Sequence, residues 1–168
     1  MNGPLLNSPS VGFEQPFEML QACHERVLQR LDLLERLDAH LLSHGADAQA
    51  QGAASDLLRY FDLAAPHHHE DEERHVLPRL RAQGHVLLAD RLAAEHREMH
   101  AGWLALRSAL LSVQCGQTVA LSGNWRDWAA LYRRHIEAEE GDAFPIARAA
   151  SGDLERNAMG QEMAARRR

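Results

Sequence analysis

Hydrophobic residues recur at intervals of three and four along most of the chain, which is the spacing of an amphipathic helix. The first such stripe spans about residues 17–44 and ends before Gly45, a typical helix terminator. His24 lies on this stripe, between Leu20 and Val27. The pattern therefore predicts a long first helix with one histidine among its buried positions.

The same spacing predicts three further long helices. The second spans about residues 48–83 and contains Pro66 and Pro78, each of which should kink or break it. Proline has this effect because it lacks an N–H and crowds the carbonyl four residues back. The third helix spans about residues 86–113, and the fourth begins near Asn124. No strand pattern is present, so the predicted fold class is all-α.

The two ends of the chain differ from this helical core. Glycine, proline and serine are frequent in residues 1–13, which predicts an irregular arm. Residues 149–168 are predicted to form a short C-terminal helix, capped by Ser151, and a solvated basic tail at 166–168. The intervening residues 14–148 are predicted to form one domain, an up-down-up-down four-helix bundle.

Two stretches of the chain follow one template: His, three residues, Glu-Glu, four residues and Pro. The template reads HHEDEERHVLP at 68–78 and HIEAEEGDAFP at 135–145. Its histidine and first glutamate are four residues apart and therefore share one face of a helix. The third helix contains two histidines at the same spacing. The resulting candidate pairs for metal binding are His68 with Glu72, His96 with His100, and His135 with Glu139.

The predicted turns lie where a single metal centre would require them. The midpoint between His24 and His68 falls at position 46, beside Gly45. The midpoint between the second-helix and third-helix pairs is Gly84, and the next midpoint lies beside Gly116. At a rise of about 1.5 Å per residue, both arms of each hairpin then have matching lengths. The register places seven side chains in one layer of the bundle: His24, His68, Glu72, His96, His100, His135 and Glu139.

An alternative register and an alternative role for these residues must be weighed. A lone histidine on an apolar face is usually a hydrogen-bonded core residue. Burying five imidazoles and two carboxylates without a cation would be costly, however, so the set favours a metal. Three histidines compete for the role of His68: His67, His69 and His75. A register built on His69 and Glu73 would put Asp62 on the apolar stripe in place of Phe61, and we therefore prefer His68. Three acidic residues are predicted to support the ligands or to lie on the surface: Glu73, Glu95 and Glu140.

The donor set favours iron or manganese over other metals. Zinc takes four ligands, whereas calcium and magnesium prefer oxygen donors. Imidazole together with carboxylate suits iron or manganese. If both carboxylates bridge two ions that also share an oxo or hydroxo group, an ion with three imidazoles is six-coordinate. Its neighbour with two imidazoles keeps an open position for a small ligand such as dioxygen or nitric oxide.

Composition restricts the partners and the location that we expect. The net charge of −6 argues against binding to nucleic acid. No apolar stretch approaches the roughly 18 residues of a membrane span, and the first residues do not resemble a signal peptide. Cys23 and Cys115 form no CxxC motif or disulfide framework, which fits a reducing compartment. We therefore expect a cytoplasmic protein without membrane contacts, and the oligomeric state stays open.

The ordered set of five histidines and two glutamates resembles the bacterial type of hemerythrin-like (HHE cation-binding) proteins. The resemblance covers about residues 14–148. The oxygen-carrying invertebrate hemerythrins place their last carboxylate five residues after the histidine. Here Glu139 is four residues after His135, and Glu140 is at five. This difference weakens the transfer of an oxygen-carrier role more than the transfer of the metal site.

The resemblance implies a role for each candidate ligand and a choice of functions. By this resemblance, Glu72 and Glu139 would bridge the two irons. The iron without an open position would be held by His96, His100 and His135. The iron with an open position would be held by His24 and His68. The implied function is binding or sensing of dioxygen or nitric oxide rather than catalysis. The alternatives are a redox or repair protein for iron–sulfur or nitrosative damage, whose relatives tend to lack the fifth imidazole, and iron handling. A ferritin-like protein would need two Glu-x-x-His motifs, and only Glu72 to His75 provides one.

Overall fold

The structure is a computed structural model that describes residues 11–121 and 123–168. Most of the predicted N-terminal arm, residues 1–10, lies outside this part of the chain. All regular elements of the described residues are helical, which confirms the all-α class. None of these helices combines the length and the apolar character needed to cross a membrane. The elements are α1 (Pro16–His44), α2 (Ala48–Arg59), π1 (Tyr60–Ala64), α3 (Ala65–His75), α4 (Leu77–Ala82), α5 (Val86–Gln114), α6 (Trp125–Ala138), π2 (Glu139–Ala143), α7 (Phe144–Ala149) and α8 (Asp153–Ala165).

The three predicted turn glycines all adopt a left-handed backbone conformation. Their φ angles are 69° at Gly45, 85° at Gly84 and 81° at Gly116. Only glycine adopts such angles without a steric penalty from Cβ, so each can reverse the chain directly after a helix. The turns between the long helices therefore lie at the positions that the ligand register required.

Pro66 and Pro145 perturb the helical path without ending it, whereas the break predicted at Pro78 is present, since α3 ends at His75 and α4 begins at Leu77. Each π-helix stops two residues before a proline, π1 before Pro66 and π2 before Pro145. At both places an N–H bonds the carbonyl five residues back, from Ala65 to Tyr60 and from Phe144 to Glu139. Because proline lacks an N–H, the wider turn is a local adjustment to the missing donor. The break predicted at Pro66 is thus a π-helix that continues directly into α3.

Two hydrophobic clusters lie on opposite sides of a polar layer. The first cluster contains Val27, Phe61 and Met99, and the second contains Leu20 and Leu92. Five of the seven predicted ligand positions fall between a residue of one cluster and a residue of the other along the chain: His24, His68, Glu72, His96 and Glu139. His24, for example, lies between Leu20 of the second cluster and Val27 of the first. The fold therefore encloses the polar layer between two apolar regions.

The C-terminal region differs in two respects from the sequence prediction. Ser151 does not cap α8; its hydroxyl donates a hydrogen bond to the Ala147 carbonyl, and Gly152 occupies the N-cap position. The basic tail was predicted to be solvated, but Arg166 and Arg167 both bind the carboxylate of Asp71. Asp71 is fully buried. A buried carboxylate requires a partner of opposite charge, and these arginines provide it, so the tail is fastened to α3.

Candidate metal centre

Six of the seven predicted ligands converge in the polar layer. They form two groups, and in each group one ligand atom per residue lies within 4.8 Å of all the others. Both groups contain the two glutamates, and each adds a different pair of histidines. All six side chains are buried. The groups are His24, His68, Glu72 and Glu139, and Glu72, His96, His135 and Glu139.

Each glutamate directs one oxygen toward each pair of histidines. Glu72 Oε1 lies 2.9 Å from His68 Nε2, and Glu72 Oε2 lies 3.3 Å from His96 Nε2. Glu139 Oε2 lies 3.1 Å from the Nε2 of His24, and its Oε1 lies 3.2 Å from that of His135. The two carboxylates therefore extend across the interval between the groups, as bridging carboxylates would.

The buried polar atoms lack the hydrogen bonds that burial normally requires. Both oxygens of Glu72 and both oxygens of Glu139 have no hydrogen-bond partner among the described residues, although imidazole nitrogens are close. His96 Nε2 and His135 Nε2 face each other at 3.1 Å. Unsatisfied acceptors that converge on one region are expensive to bury unless a cation binds them. The arrangement fits a metal ion, and its mixture of imidazole and carboxylate suits iron.

The side chains of the layer shift one another's pKa values. Burial alone would lower the pKa of His24, but its contacts with carboxylates, chiefly Glu139, raise that pKa well above the ordinary value. Burial is likewise outweighed by Glu72 at His68, where the pKa rises to about 9, and at His96, where it rises to about 10. Burial would raise the pKa of Glu72, but the histidines lower it well below its usual range. Metal binding must therefore displace protons from these imidazoles.

Three of the four converging imidazoles are held from outside by a carboxylate. Glu140 Oε1 lies 2.9 Å from His24 Nδ1. Glu73 Oε1 lies 3.0 Å from the Nδ1 of His96, and Glu95 Oε2 lies 2.6 Å from that of His135. Since a carboxylate on Nδ1 keeps the proton there, Nε2 is left free to bind a metal. These three glutamates were predicted either to support the ligands or to lie on the surface, and their contacts in the structure fit the supporting role.

We expect that Glu95→Gln lowers metal affinity by about 10- to 100-fold, because the amide supports the basicity of His135 less well than the carboxylate does. Glu98→Gln on the exposed face of α5 is the matched control and should leave affinity unchanged. Competition with a chelator measures both constants. Equal affinities for the two variants would show that Glu95 does not support the ligand.

His100 does not join the other six residues. It is exposed and belongs to neither group of ligand atoms in the described chain. The buried stripe of α5 runs through His96, Met99, Trp103 and Leu106, in steps of three and four. A residue four positions after His96 lies at the flank of that stripe, as does Leu104, which is 54% exposed. The spacing of four residues therefore showed that His96 and His100 lie near one another on the helix, but it did not show that both are buried.

His69 is the imidazole that lies beside the layer where His100 was expected. Its ring stacks on that of His96, with centroids 4.2 Å apart and an interplanar angle of 13°. Its ring also stacks on Tyr132 at 5.8 Å. Burial, reinforced by the charge of His96, holds the pKa of His69 well below its ordinary value. The competing register built on His69 and Glu73 was the one feature of the sequence that pointed to this contact. Both of its residues contact His96 in the structure, His69 by stacking and Glu73 through Nδ1.

Comparison with known proteins agrees with this geometry. Residues 15–147 match the family model described as the hemerythrin HHE cation binding domain. The chain is also 33% identical over 159 residues to a protein of Haemophilus influenzae that is described as an uncharacterized protein. That alignment covers 92% of this chain and 91% of the relative. The matched region contains all six converging residues.

Proposed function

The chain belongs to the hemerythrin HHE cation-binding family, and on this premise we propose that it is a non-haem di-iron protein that binds dioxygen or nitric oxide. The single observation that carries the proposal is the pair of buried glutamates shared by two groups of histidines. In this proposal an oxo or hydroxo group also bridges the irons. The six proposed ligands are His24, His68, Glu72, His96, His135 and Glu139.

Two ions account for the donor set better than one. Six donors would fill one octahedral iron, but the four imidazoles are divided between two groups instead of converging on one point. Each pair of histidines lies on a different side of the two carboxylates, and each carboxylate offers one oxygen per side. An ion with two imidazoles, two carboxylate oxygens and the oxo or hydroxo bridge has five ligands. Such a centre has room for an added small molecule.

The distribution of the two hydrophobic clusters supports the up-down-up-down topology. Along α1 the chain passes from Leu20 of the second cluster to Val27 of the first. From π1 to α3 and its end it passes in the opposite sense, from Phe61 of the first cluster to Val76 of the second. In α5 the order reverses again, and in α6 and π2 once more. This alternation is what four antiparallel segments crossing one layer would produce.

The residues of this chain would prepare the centre for its ligand. When bound, two ferrous irons supply electrons and an open coordination position. The imidazoles of His24, His96 and His135 are fixed by carboxylates on Nδ1, which limits their rotation. Phe144 stacks on His24 with centroids 5.2 Å apart and excludes water from that side. These contacts favour a rigid site that is shielded from water on the His24 side.

A second candidate function is redox or repair chemistry on iron–sulfur or nitrosative damage, or iron handling. The observation that favours it is the number of converging imidazoles, which is four in the described chain rather than five. With two imidazoles in each group, neither iron would have a third imidazole to fill its remaining coordination position. Both ions would be accessible to exchange, which suits electron transfer or transfer of iron better than reversible storage of a gas.

An optical spectrum of the iron-loaded protein distinguishes the two candidates. The protein is reduced without air, exposed to air and then returned to argon. Ligand binding predicts an absorption band that appears and disappears over repeated cycles, and His68→Ala should abolish it. The neighbouring His67, which is outside both ligand groups, provides the control His67→Ala and should leave the band intact. Rapid irreversible oxidation without a reversible band would instead favour the redox or repair function.

A further inference from the structure

A cavity of about 310 Å³ opens from the surface to the His96 side of the layer. His96 forms part of its wall, next to His69 and Tyr132. Phe61 and Trp103 supply apolar surface to the same wall. The cavity thus connects solvent with one ligand of the His96–His135 group.

The cavity on the His24–His68 side does not reach the proposed ligands. It has a volume of about 280 Å³, and its lining includes Cys23, Tyr60 and His67 but none of the six. The rings of Phe144 and His24 stack with an interplanar angle of 10°, which covers this side further. Access to the layer is therefore unequal for the two groups.

The lining of the first cavity determines what kind of molecule it suits. Its charged side chains are two acidic residues and one basic residue, Glu70, Glu73 and Arg97. The two carboxylates and the apolar wall disfavour an anion, because burying a charge without a partner is costly. An uncharged molecule pays no such penalty. The imidazole of His69 carries an N–H in either protonation state and can donate a hydrogen bond to it.

We propose that this cavity admits the uncharged diatomic ligand, so that the ligand meets the His96–His135 side of the centre. This is the reverse of the order implied by family resemblance, in which the open iron is held by His24 and His68. The inference deepens the proposed function and rests on it. His69 is then the last side chain that the ligand passes before it reaches the layer.

Two adjacent alanines allow a matched test. Ala65 is buried and lines the first cavity, whereas Ala64 is exposed and lines the second. In the diferrous protein, Ala65→Leu should reduce the rate constant for nitric oxide association by about tenfold or more. Ala64→Leu should leave that rate constant unchanged. Iron content and melting temperature are measured for each variant, so that loss of the centre is distinguished from loss of access.

A second readout does not require iron. Trp103 lines the first cavity, so dissolved dioxygen should quench its fluorescence in the metal-free protein. Ala65→Leu should reduce this quenching, and Ala64→Leu should not. If Ala65→Leu fails to fold, Arg97→Trp at the exposed rim of the same cavity should slow nitric oxide association in the same way. This variant is not used for quenching, because it adds a tryptophan.

The outcomes separate this inference from the function on which it rests. Slower association in Ala64→Leu but not in Ala65→Leu or Arg97→Trp would overturn the inference, because the ligand would then enter by the second cavity. Unchanged association in all variants and unchanged quenching in Ala65→Leu would overturn it as well. A wild-type protein that holds two irons but binds neither dioxygen nor nitric oxide would contradict the proposed function, whatever the quenching shows.

Discussion

Glu72→Gln is expected to lower iron affinity by about 100-fold or more and to prevent binding of two ions per chain. The carboxylate of Glu72 presents Oε1 to His68 and Oε2 to His96. An amide keeps the size of the side chain but offers one oxygen, so it cannot serve both groups. Glu139→Gln should have the same effect, since Glu139 also faces both groups.

The control for these variants is Glu137→Gln. Glu137 is exposed near the end of α6 and lies two residues before Glu139, the first residue of π2, so its replacement removes a charge without removing a ligand. Iron is counted in the purified proteins, and affinity is measured by chelator competition. If Glu72→Gln still binds two irons with the affinity of the Glu137→Gln control, the bridging role assigned to Glu72 is wrong.

Raising the pH from 6 to 10 is expected to lower the melting temperature of the metal-free protein by about 10 °C or more. The pKa is about 9 for His68 and about 10 for His96 in the folded chain, against 6.5 for an ordinary histidine. A raised histidine pKa stabilises the folded state fully below pH 6.5. That stabilisation disappears as the pH rises through the folded pKa, because the imidazoles then leave the ionised carboxylates without partners.

The iron-loaded protein should respond to pH in the opposite direction. Protons compete with the metal for the imidazoles, so metal binding becomes stronger as the pH rises, and the stability it adds becomes larger. The gap between the melting temperatures of loaded and metal-free protein should therefore widen from pH 6 to pH 10. Glu72→Gln should reduce the fall seen without metal, because Glu72 helps to raise the pKa of His68 and of His96. A metal-free melting temperature that is flat over this range would contradict the electrostatic account.

The sequence was sufficient to predict the helices, the turns and most of the layer. The intervals between His24, the two template motifs and His96 placed the turns near Gly45, Gly84 and Gly116, where the structure has them. This worked because a helix has a fixed rise per residue, so equal lengths of chain on either side of a turn reach the same level. The spacing of residues along each helix was therefore sufficient to predict which residues from different helices lie at the same level.

Other features depended on packing that no local pattern encodes. The inward face of α5 is determined by the helices that pack against it. The spacing of four residues from His96 therefore placed His100 in the layer, whereas His100 is exposed in the structure. The sequence also did not predict that Asp71 would be buried, or that Arg166 and Arg167 would fold back to it from the C-terminus. Such contacts join residues far apart in the chain, and they become visible only once α8 has docked on α1.

Anomalous diffraction at the iron edge, from crystals of protein produced with iron, tests the central claim most directly. The account predicts two peaks per chain, roughly 3.5–4 Å apart as in other two-metal sites. One peak should lie beside His24 and His68, the other beside His96 and His135, with the carboxylates of Glu72 and Glu139 between them. A single peak, or iron held by His69, His75 or His100 in place of these residues, would contradict the account.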